Sequence, residues 1–256
     1  MSSRLFGRPL PSGRKARVDD DMRLYAIGDI HGRADLLAQL HARIRADAAA
    51  HPAARRILVY LGDYVDRGPD SQGVVETILA APLDGFAVVG LRGNHEDLML
   101  AFLDDVAGAA NWFFNGGLAT LASYGVPSRT AAGASRPAHA IQQEFRRALP
   151  ARHLAFFRDL ALSHREGDYV FVHAGIRPGV PLDDQDPLDL IWIRDAFLAS
   201  REDHGFVVVH GHSIRPEPED TGNRIGIDTG AYATGVLTCL VLQGGERHYL
   251  RTGAGA

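Results

Sequence analysis

The stretch Gly62-Asp63-Tyr64-Val65-Asp66-Arg67-Gly68 decides how this chain is read. It crowds two carboxylates and a guanidinium into one short loop. It directly follows the apolar run Ile57-Leu58-Val59-Tyr60-Leu61, whose length and β-branched content suit a buried strand. The flanking glycines let the chain leave a sheet and turn tightly. Asp63 is therefore expected at the C-terminal end of a strand, where open sheets present ligand-binding groups. Such a cluster is costly inside a fold unless something neutralises it. A metal ion would do so.

The same plan of strand, polar loop and helix recurs on either side. Upstream, residues 23–27 read as a strand. Gly28-Asp29-Ile30-His31-Gly32 follows, then a helix with apolar spacing over 35–44. Asp29 and His31 are two apart, so extended geometry sends both side chains to one face. A carboxylate and an imidazole placed so can bind one metal ion. Downstream, residues 86–91 read as a strand leading to Arg92-Gly93-Asn94-His95-Glu96 and a helix through Leu98, Leu100 and Phe102. Ser71 reads as the N-cap of a helix over 71–79. His41 and His51 read as surface residues. Three such units in succession predict parallel strands with helical crossovers, their loops gathered at one edge.

Residues 101–160 read as a helical insertion that serves as cap or packing rather than chemistry, with His139, His153 and His164 surface or structural. Strands resume at 169–172, before His173. Residues 187–200, which carry Arg194, read as a loop entering a helix. Residues 206–209 read as a buried strand before His210-Gly211-His212-Ser213. Segments 224–230, 237–242 and 247–251 read as consecutive antiparallel strands, with Gly244-Gly245 as a hairpin turn. This strand-rich half predicts a second mixed sheet facing the first. Residues 1–21, rich in Ser, Gly, Pro and Arg and ending in three aspartates, read as a solvated tail. Residues 22–256 then form a single domain.

Composition narrows the classes. A hydrophobic content of 46% supports a sizeable core, and a net charge of −4 argues against nucleic acid as a stable partner. No apolar run approaches a membrane span, and the N-terminus lacks the apolar core of a signal peptide. The one cysteine, Cys239, excludes internal disulfides and fits a reducing compartment, so a cytoplasmic location is expected. No Gly-x-Ser-x-Gly elbow and no P-loop occur, which disfavours a serine hydrolase and a P-loop nucleotide site.

The polar groups at strand ends are Asp29, His31, Asp63, Asp66, Asn94, His95, His173, His210 and His212, with Arg67 and Arg194. Imidazoles and hard oxygens without a thiolate suit Mn, Fe or Zn. There are too many donors for one ion. A central Asp shared by two ions about 3.5–4 Å apart resolves the surplus, and such a pair generates a bridging hydroxide and clamps phosphoryl oxygens. Two arginines suit the remaining phosphate oxygens through bidentate bonds.

Gly-Asp-Ile-His-Gly at 28–32, Gly-Asp-Tyr-Val-Asp-Arg-Gly at 62–68, Gly-Asn-His-Glu at 93–96, His-Ala-Gly at 173–175 and Gly-His-Ser at 211–213 occur in that order. Together they resemble the phosphoprotein phosphatase family of calcineurin-like metallophosphoesterases, above all its bacterial and phage members. The resemblance runs from about residue 22 to residue 242. It implies an α/β sandwich of two mixed sheets flanked by helices. It implies one metal on Asp29, His31 and Asp63 and a second on Asp63, Asn94, His173 and His212, manganese first, with iron or zinc as alternatives. It implies His95 as general acid, Asp66 holding it, and Arg67 and Arg194 on the phosphate. The family's ligand is the histidine between Gly and a hydroxyl residue, which selects His212 over His210. Tyr232, after Asp228-Thr229-Gly230, reads equally as a substrate contact or as packing. Arg33 stands where the family often has another residue and reads as tuning charge at the site mouth.

Three functions compete. The first is hydrolysis of phosphomonoesters, in a phosphoserine- or phosphothreonine-bearing protein or a small phosphoester. The alternative is hydrolysis of dinucleoside polyphosphates, such as diadenosine tetraphosphate, or of other nucleotides. A related family of diadenosine tetraphosphate hydrolases lacks the acid where Asp66 stands and tends to have Asp after its Asn-His. Asp66 and Glu96 thus favour the phosphatase. The chemistry agrees, because a phosphate leaving group needs less protonation than an alkoxide. The third is a non-catalytic phosphate-binding module, but a degenerate site would have lost a ligand and none is missing.

Overall fold

Strands Met22–Ile27 (β1), Arg55–Tyr60 (β2) and Ala87–Gly90 (β3) pair in parallel, in that order. The computed structural model describes residues 15–80 and 83–253. Helix Ala34–Ala50 (α1) crosses from β1 to β2, and helix Ser71–Leu79 (α2) crosses from β2 to β3. Helix Asn94–Asp104 (α3) follows β3. Alternation along the strands buries both faces of this sheet. Tyr25, Ile27, Leu58 and Tyr60 pack against the helices, while Leu24, Ala26, Ile57 and Val59 face the other way. Strands with both faces covered read as continuous apolar runs, as the 57–61 segment does.

The helical insertion comprises Ala109–Trp112 (α4), a kinked turn over 113–117, Leu118–Ser123 (α5), Ala138–Ala148 (α6) and Ala151–Asp159 (α7). Its core continues the helical side of the first sheet through Trp112, Leu121, Phe145 and Phe157. Trp112 lies between Phe102 of α3 and Phe145 of α6, at ring separations of 5.0 and 5.6 Å.

The second sheet takes Ser163–Glu166 (β4), Tyr169–Val172 (β5), Val207–His210 (β6), Glu219–Asp220 (β7) and Arg224–Gly226 (β8), in the order β4-β5-β6-β8-β7. Tyr169, Phe171, Val207, Val209 and Ile225 face the first sheet and complete the layer between them. The opposite face, with Val170, Val172 and Val208, is covered by helices Pro187–Trp192 (α8) and Asp195–Leu198 (α9) through Leu190 and Phe197. After the short helix Ala231–Thr234 (α10), strands Thr238–Gln243 (β9) and Glu246–Arg251 (β10) form a hairpin that returns to the first sheet. The architecture is a sandwich of two mixed sheets flanked by helices.

Several expectations need correction. The segments 224–230 and 237–242 are not successive antiparallel strands. β8 runs parallel to β6 in the second sheet, whereas β9 pairs antiparallel with β1 in the first. Both are apolar and turn-flanked, so the pattern carries no record of which sheet each joins. Residues 15–21 are not a free tail: Ala16 and Val18 are buried, and Val18 donates to the Gly244 carbonyl at 3.0 Å. Residues 1–14 of the expected tail lie outside the described residues. His41 is buried on the sheet-facing stripe of α1, with Nε2 2.8 Å from the Tyr60 hydroxyl. The N-cap of α2 is Asp70, which accepts from Gly73 N at 2.8 Å. No helix among the described residues is long and apolar enough to cross a membrane.

Leu24 lies fully buried between the two sheets. Leu24→Ala is expected to remove about 2–5 kcal/mol of stability by leaving a cavity there. In urea the unfolding midpoint falls and the slope stays constant. An unchanged midpoint would mean that the sheets do not share this core.

Candidate active site

The polar loops after β1, β2, β3, β5, β6 and β8 all emerge at the same edge of the sandwich, because these strands run parallel within their sheets. At that edge the backbone is bent into unusual conformations. Among the described residues, the non-glycine positions with positive φ are His31 (45°), Asp63 (52°), Asp66 (72°), Arg67 (65°) and His212 (63°). Each such position costs roughly 1–3 kcal/mol and persists only where its surroundings impose it.

Glu96 imposes much of it on the loop after β2. Its fully buried carboxylate accepts from the backbone N–H groups of Asp63 (2.9 Å), Tyr64 (2.8 Å), Val65 (3.3 Å) and Gly93 (2.9 Å). Burial and the neighbouring Asp63 charge push this carboxyl up to about 8, against the pull of His95 and the N–H donors. Position 93 admits only glycine, since a Cβ there would lie 2.1 Å from Asp63 Oδ1. Glu96 is absent from the sequence-derived site, although its place three residues after the Gly93 N-cap is a helix-start signal.

Asp63 is the centre. His31, Asp63 and His95 offer ligand atoms that lie within 4.8 Å of one another, and so do Asp63, His173 and His212. Asp63 belongs to both groups. Burial alone would raise its carboxyl, but the positive charge that His173, His95, His31 and His212 carry when protonated outweighs it and holds it below the usual range. Burial drives His31 down to about 3 and His212 to about 2, and lowers His173 as well, so these imidazoles are neutral. His31 Nδ1 lies 2.8 Å from the Val65 carbonyl and His173 Nδ1 2.9 Å from the Leu61 carbonyl. Each ring donates there, which turns the Nε2 lone pair inward, met on His31 by Arg67 at 2.9 Å. His173 Nε2 faces Asn94 Oδ1 at 3.0 Å and Asp63 Oδ2 at 3.5 Å. Three acceptors converging on one volume, with the buried His212 Nε2 unpartnered nearby, fit a divalent cation.

Asp29 lies beside this cluster, outside both three-residue groups. Its carboxylate accepts from His212 N at 3.0 and 3.2 Å. Burial, then the charges of Asp228 and Asp63, raise it well above the usual range. Asp228 is itself buried, and it too escaped the sequence reading, because its strand merges into an apolar segment. So many carboxylates in one buried volume call for cationic charge. His210 stands apart: it continues the Val208 face of β6 and sets its ring against Phe197 at 5.1 Å.

Asp66 and His95 form a second unit. His95 Nδ1 lies 2.7 Å from Asp66 Oδ2, and its Nε2 is buried without a hydrogen-bond partner, 3.9 Å from Asp63 Oδ2. Burial pulls the imidazole down, but the Asp63 charge and the bond and charge of Asp66 outweigh it, so the net shift is upward. The helical insertion, expected as cap or packing, also reaches this pair with hydrogen bonds. Trp112 Nε1 and Thr120 Oγ1 both donate to the Asp66 carboxylate, and the Gly116 carbonyl accepts from Arg67 N at 3.3 Å. Nothing local in the sequence signals these contacts across 46 and 54 residues.

The cationic groups line the mouth. Arg67 lays its guanidinium over the Tyr232 ring, 5.0 Å from the centroid, and reaches His31 Nε2 at 2.9 Å. Tyr232 sets its ring edge-on to His31 at 5.4 Å. Arg194 is exposed at the start of α9 and makes a long 3.5 Å contact to Ser213 Oγ. Arg33 is clamped by Asp35 at 2.7 and 2.8 Å and donates to the Ala231 carbonyl, so its charge is matched locally.

Comparison with known proteins agrees with this geometry. The family model of the calcineurin-like phosphoesterases matches residues 22–234. A symmetrical bis(5'-nucleosyl)-tetraphosphatase of Nitrosomonas europaea is 30% identical over 206 residues, covering 78% of this chain. This chain spans only 63% of that relative's length. Serine/threonine-protein phosphatase 1 of Salmonella typhimurium is 30% identical over 246 residues, 92% of this chain and 99% of its own. The crystal structure of a candidate diadenosine tetraphosphatase superposes with a TM-score of 0.62 at 20% identity, over 94% of this chain and 100% of that one, a likeness of fold. Members of this family normally hold two divalent metal ions, and the two groups around Asp63 are candidate ligand sets for them. A sandwich of two mixed sheets with a shared aspartate at its ligand edge, matched over most of its length by one family, leads to one assignment: the chain belongs to the calcineurin-like phosphoesterases.

Proposed function

We propose that this protein hydrolyses phosphomonoesters, with phosphoserine or phosphothreonine in proteins as the substrate class. One observation carries the reading: the fully buried Asp66 carboxylate held 2.7 Å from His95 Nδ1. An aspartate–histidine pair of this kind equips an imidazole to give up a proton, and the need for that proton is greatest when the leaving group is an alkoxide. A terminal phosphate leaves without such help. The Salmonella relative, similar over nearly its full length, is named a serine/threonine phosphatase. The second reading, dinucleoside polyphosphate hydrolysis, draws support from the Nitrosomonas relative, which is named a tetraphosphatase.

In this reading Asp29, His31 and Asp63 hold one divalent cation, and Asp63, Asn94, His173 and His212 the other. When bound, such a pair acidifies water and offsets charge on phosphoryl oxygens. Arg67 and Arg194 bind the non-bridging oxygens of the phosphate, and Tyr232 orients the Arg67 guanidinium through its ring face. A water oxygen forms the new bond to phosphorus; one of its protons stays on the released phosphate and the other, by way of solvent, restores His95. The ester P–O bond breaks with its electron pair on the departing oxygen, which takes a proton from His95 Nε2. Asp66 accepts from Nδ1 throughout, fixing the ring and stabilising its charged form.

The metal assignment predicts about two divalent ions per chain in active protein, measured by elemental analysis. Asp63→Asn depletes both and His31→Ala depletes one. One ion or none in fully active protein contradicts the assignment. For the phosphate site, Arg67→Lys keeps the charge but loses the planar fork, and kcat/KM is expected to fall by on the order of a hundredfold with metal content unchanged. Near-normal efficiency would remove Arg67 from phosphate binding. The substrate class is tested by assaying phosphoserine peptide, phosphotyrosine peptide, nitrophenyl phosphate and diadenosine tetraphosphate side by side. Asp66→Asn and His95→Asn are expected to lose far more activity on phosphoserine than on nitrophenyl phosphate, whose phenolate leaves unaided. Preferred turnover of diadenosine tetraphosphate would favour the second reading.

A further inference from the structure

We propose that Trp112 and Thr120 of the helical insertion are positioning residues for proton donation by His95, acting through the Asp66 carboxylate. The proposal rests on the reading of His95 as proton donor.

Asp66, Trp112, Thr120, Ser71 and His95 are all fully buried, so the polar atoms around the Asp66 carboxylate are satisfied by one another rather than by water. The direction of each bond follows. The Asp66 N–H is a donor, and it lies 2.8 Å from Thr120 Oγ1 and 3.1 Å from Ser71 Oγ. Asp66 Oδ1 is an acceptor, 2.6 Å from Thr120 Oγ1. A threonine hydroxyl has one proton. It must go to Asp66 Oδ1, and the Ser71 hydroxyl, 3.0 Å away, donates to Thr120 in turn. Thr120 thus grips Asp66 twice, by its backbone N–H and by its carboxylate.

Trp112 adds the plane. Its one N–H straddles the carboxylate, 3.1 Å from Oδ1 and 3.0 Å from Oδ2. With Thr120 on Oδ1 and His95 on Oδ2, rotation of the carboxylate would break all three bonds together. The His95 ring packs edge-on against His31 at 4.6 Å, and with Nε2 unpartnered its Nδ1 bond to Asp66 is the hydrogen bond that orients it. The aim of Nε2 is therefore set by the orientation of Asp66, and that orientation is set from the insertion. Asp66 and Arg67 are also consecutive left-handed residues, at φ 72° and 65°, a conformation that the Thr120 and Gly116 contacts hold in place. Packing alone needs none of this. A buried indole N–H is satisfied by any carbonyl, and a valine would fill the Thr120 site.

The test measures kcat/KM on phosphoserine peptide and on nitrophenyl phosphate for Thr120→Val, Thr120→Ser and Trp112→Phe, with metal content and thermal unfolding alongside. Thr120→Val is expected to lose at least about tenfold on phosphoserine and less than about threefold on nitrophenyl phosphate, with metals unchanged. Trp112→Phe follows the same pattern, and Thr120→Ser, which keeps the hydroxyl, stays within about threefold of the parent on both. If Thr120→Val does not fold, Trp112→Phe carries the comparison. Equal losses on the two esters, or no loss on either, overturn the proposal. His95→Asn serves as the control. Asymmetry in His95→Asn with none in Thr120→Val or Trp112→Phe defeats this proposal alone, whereas no asymmetry in His95→Asn defeats the proton-donor reading and this proposal with it.

Discussion

A carboxylate held out of water at the end of β2 sets the terms for the rest of the structure. Asp63 is buried, shared by two clusters of donors, and ringed by imidazoles. Keeping an anion there requires that everything around it be an electrostatic partner or a rigid support. A cation among the donors would answer the first need, and the Nδ1 bonds of His31 and His173 to the Val65 and Leu61 carbonyls fix which nitrogen faces inward. Glu96 answers the second by tying down three consecutive N–H groups of the Asp63 loop. A helix terminus is used here less as a dipole than as a place to mount that carboxylate.

The sandwich makes this possible because it brings six strand ends to one edge. The parallel strands of both sheets deliver their C-terminal loops there, and a layer of apolar side chains between the sheets fixes the distance between the two halves of the site. His173 and His212 come from the second sheet, Asp29, His31, Asp63 and Asn94 from the first. The site is therefore a property of the sheet-to-sheet contact, and loss of inter-sheet packing would pull its donors apart before any one of them was altered.

The insertion ties a third body of structure to the same edge. Its aromatic core, with Trp112 between Phe102 and Phe145, carries one indole N–H and one hydroxyl to Asp66. Relatives of this chain bear names that include both phosphatases and tetraphosphatases. On the proposed reading the donors around Asp63 would serve any phosphoryl substrate, whereas the support behind Asp66 would matter most for an ester with a basic leaving oxygen.

Much of this was legible in the chain alone. Three strand–loop–helix units follow from apolar runs of strand length and glycine-flanked acidic loops, because local pattern and turn chemistry act over a few residues. The same locality exposes Asp29, His31, Asp63, Asn94 and His95, each placed just beyond a strand. What the pattern could not hold is pairing across distance. β8 and β9 look alike in sequence, and only packing sends one to each sheet. β4 and β7 are short and polar edge strands, without the apolar alternation that marks a buried one. His41 reads as polar surface until α1 turns it onto the Tyr60 hydroxyl. Trp112 and Thr120 read as ordinary helix residues until the tertiary fold sets them on Asp66, 46 and 54 residues away. The sequence by itself determined which chemical groups stand at the strand ends. Only the tertiary structure decided which of them share a partner, because a hydrogen bond depends on separation in space and carries no signature of separation along the chain.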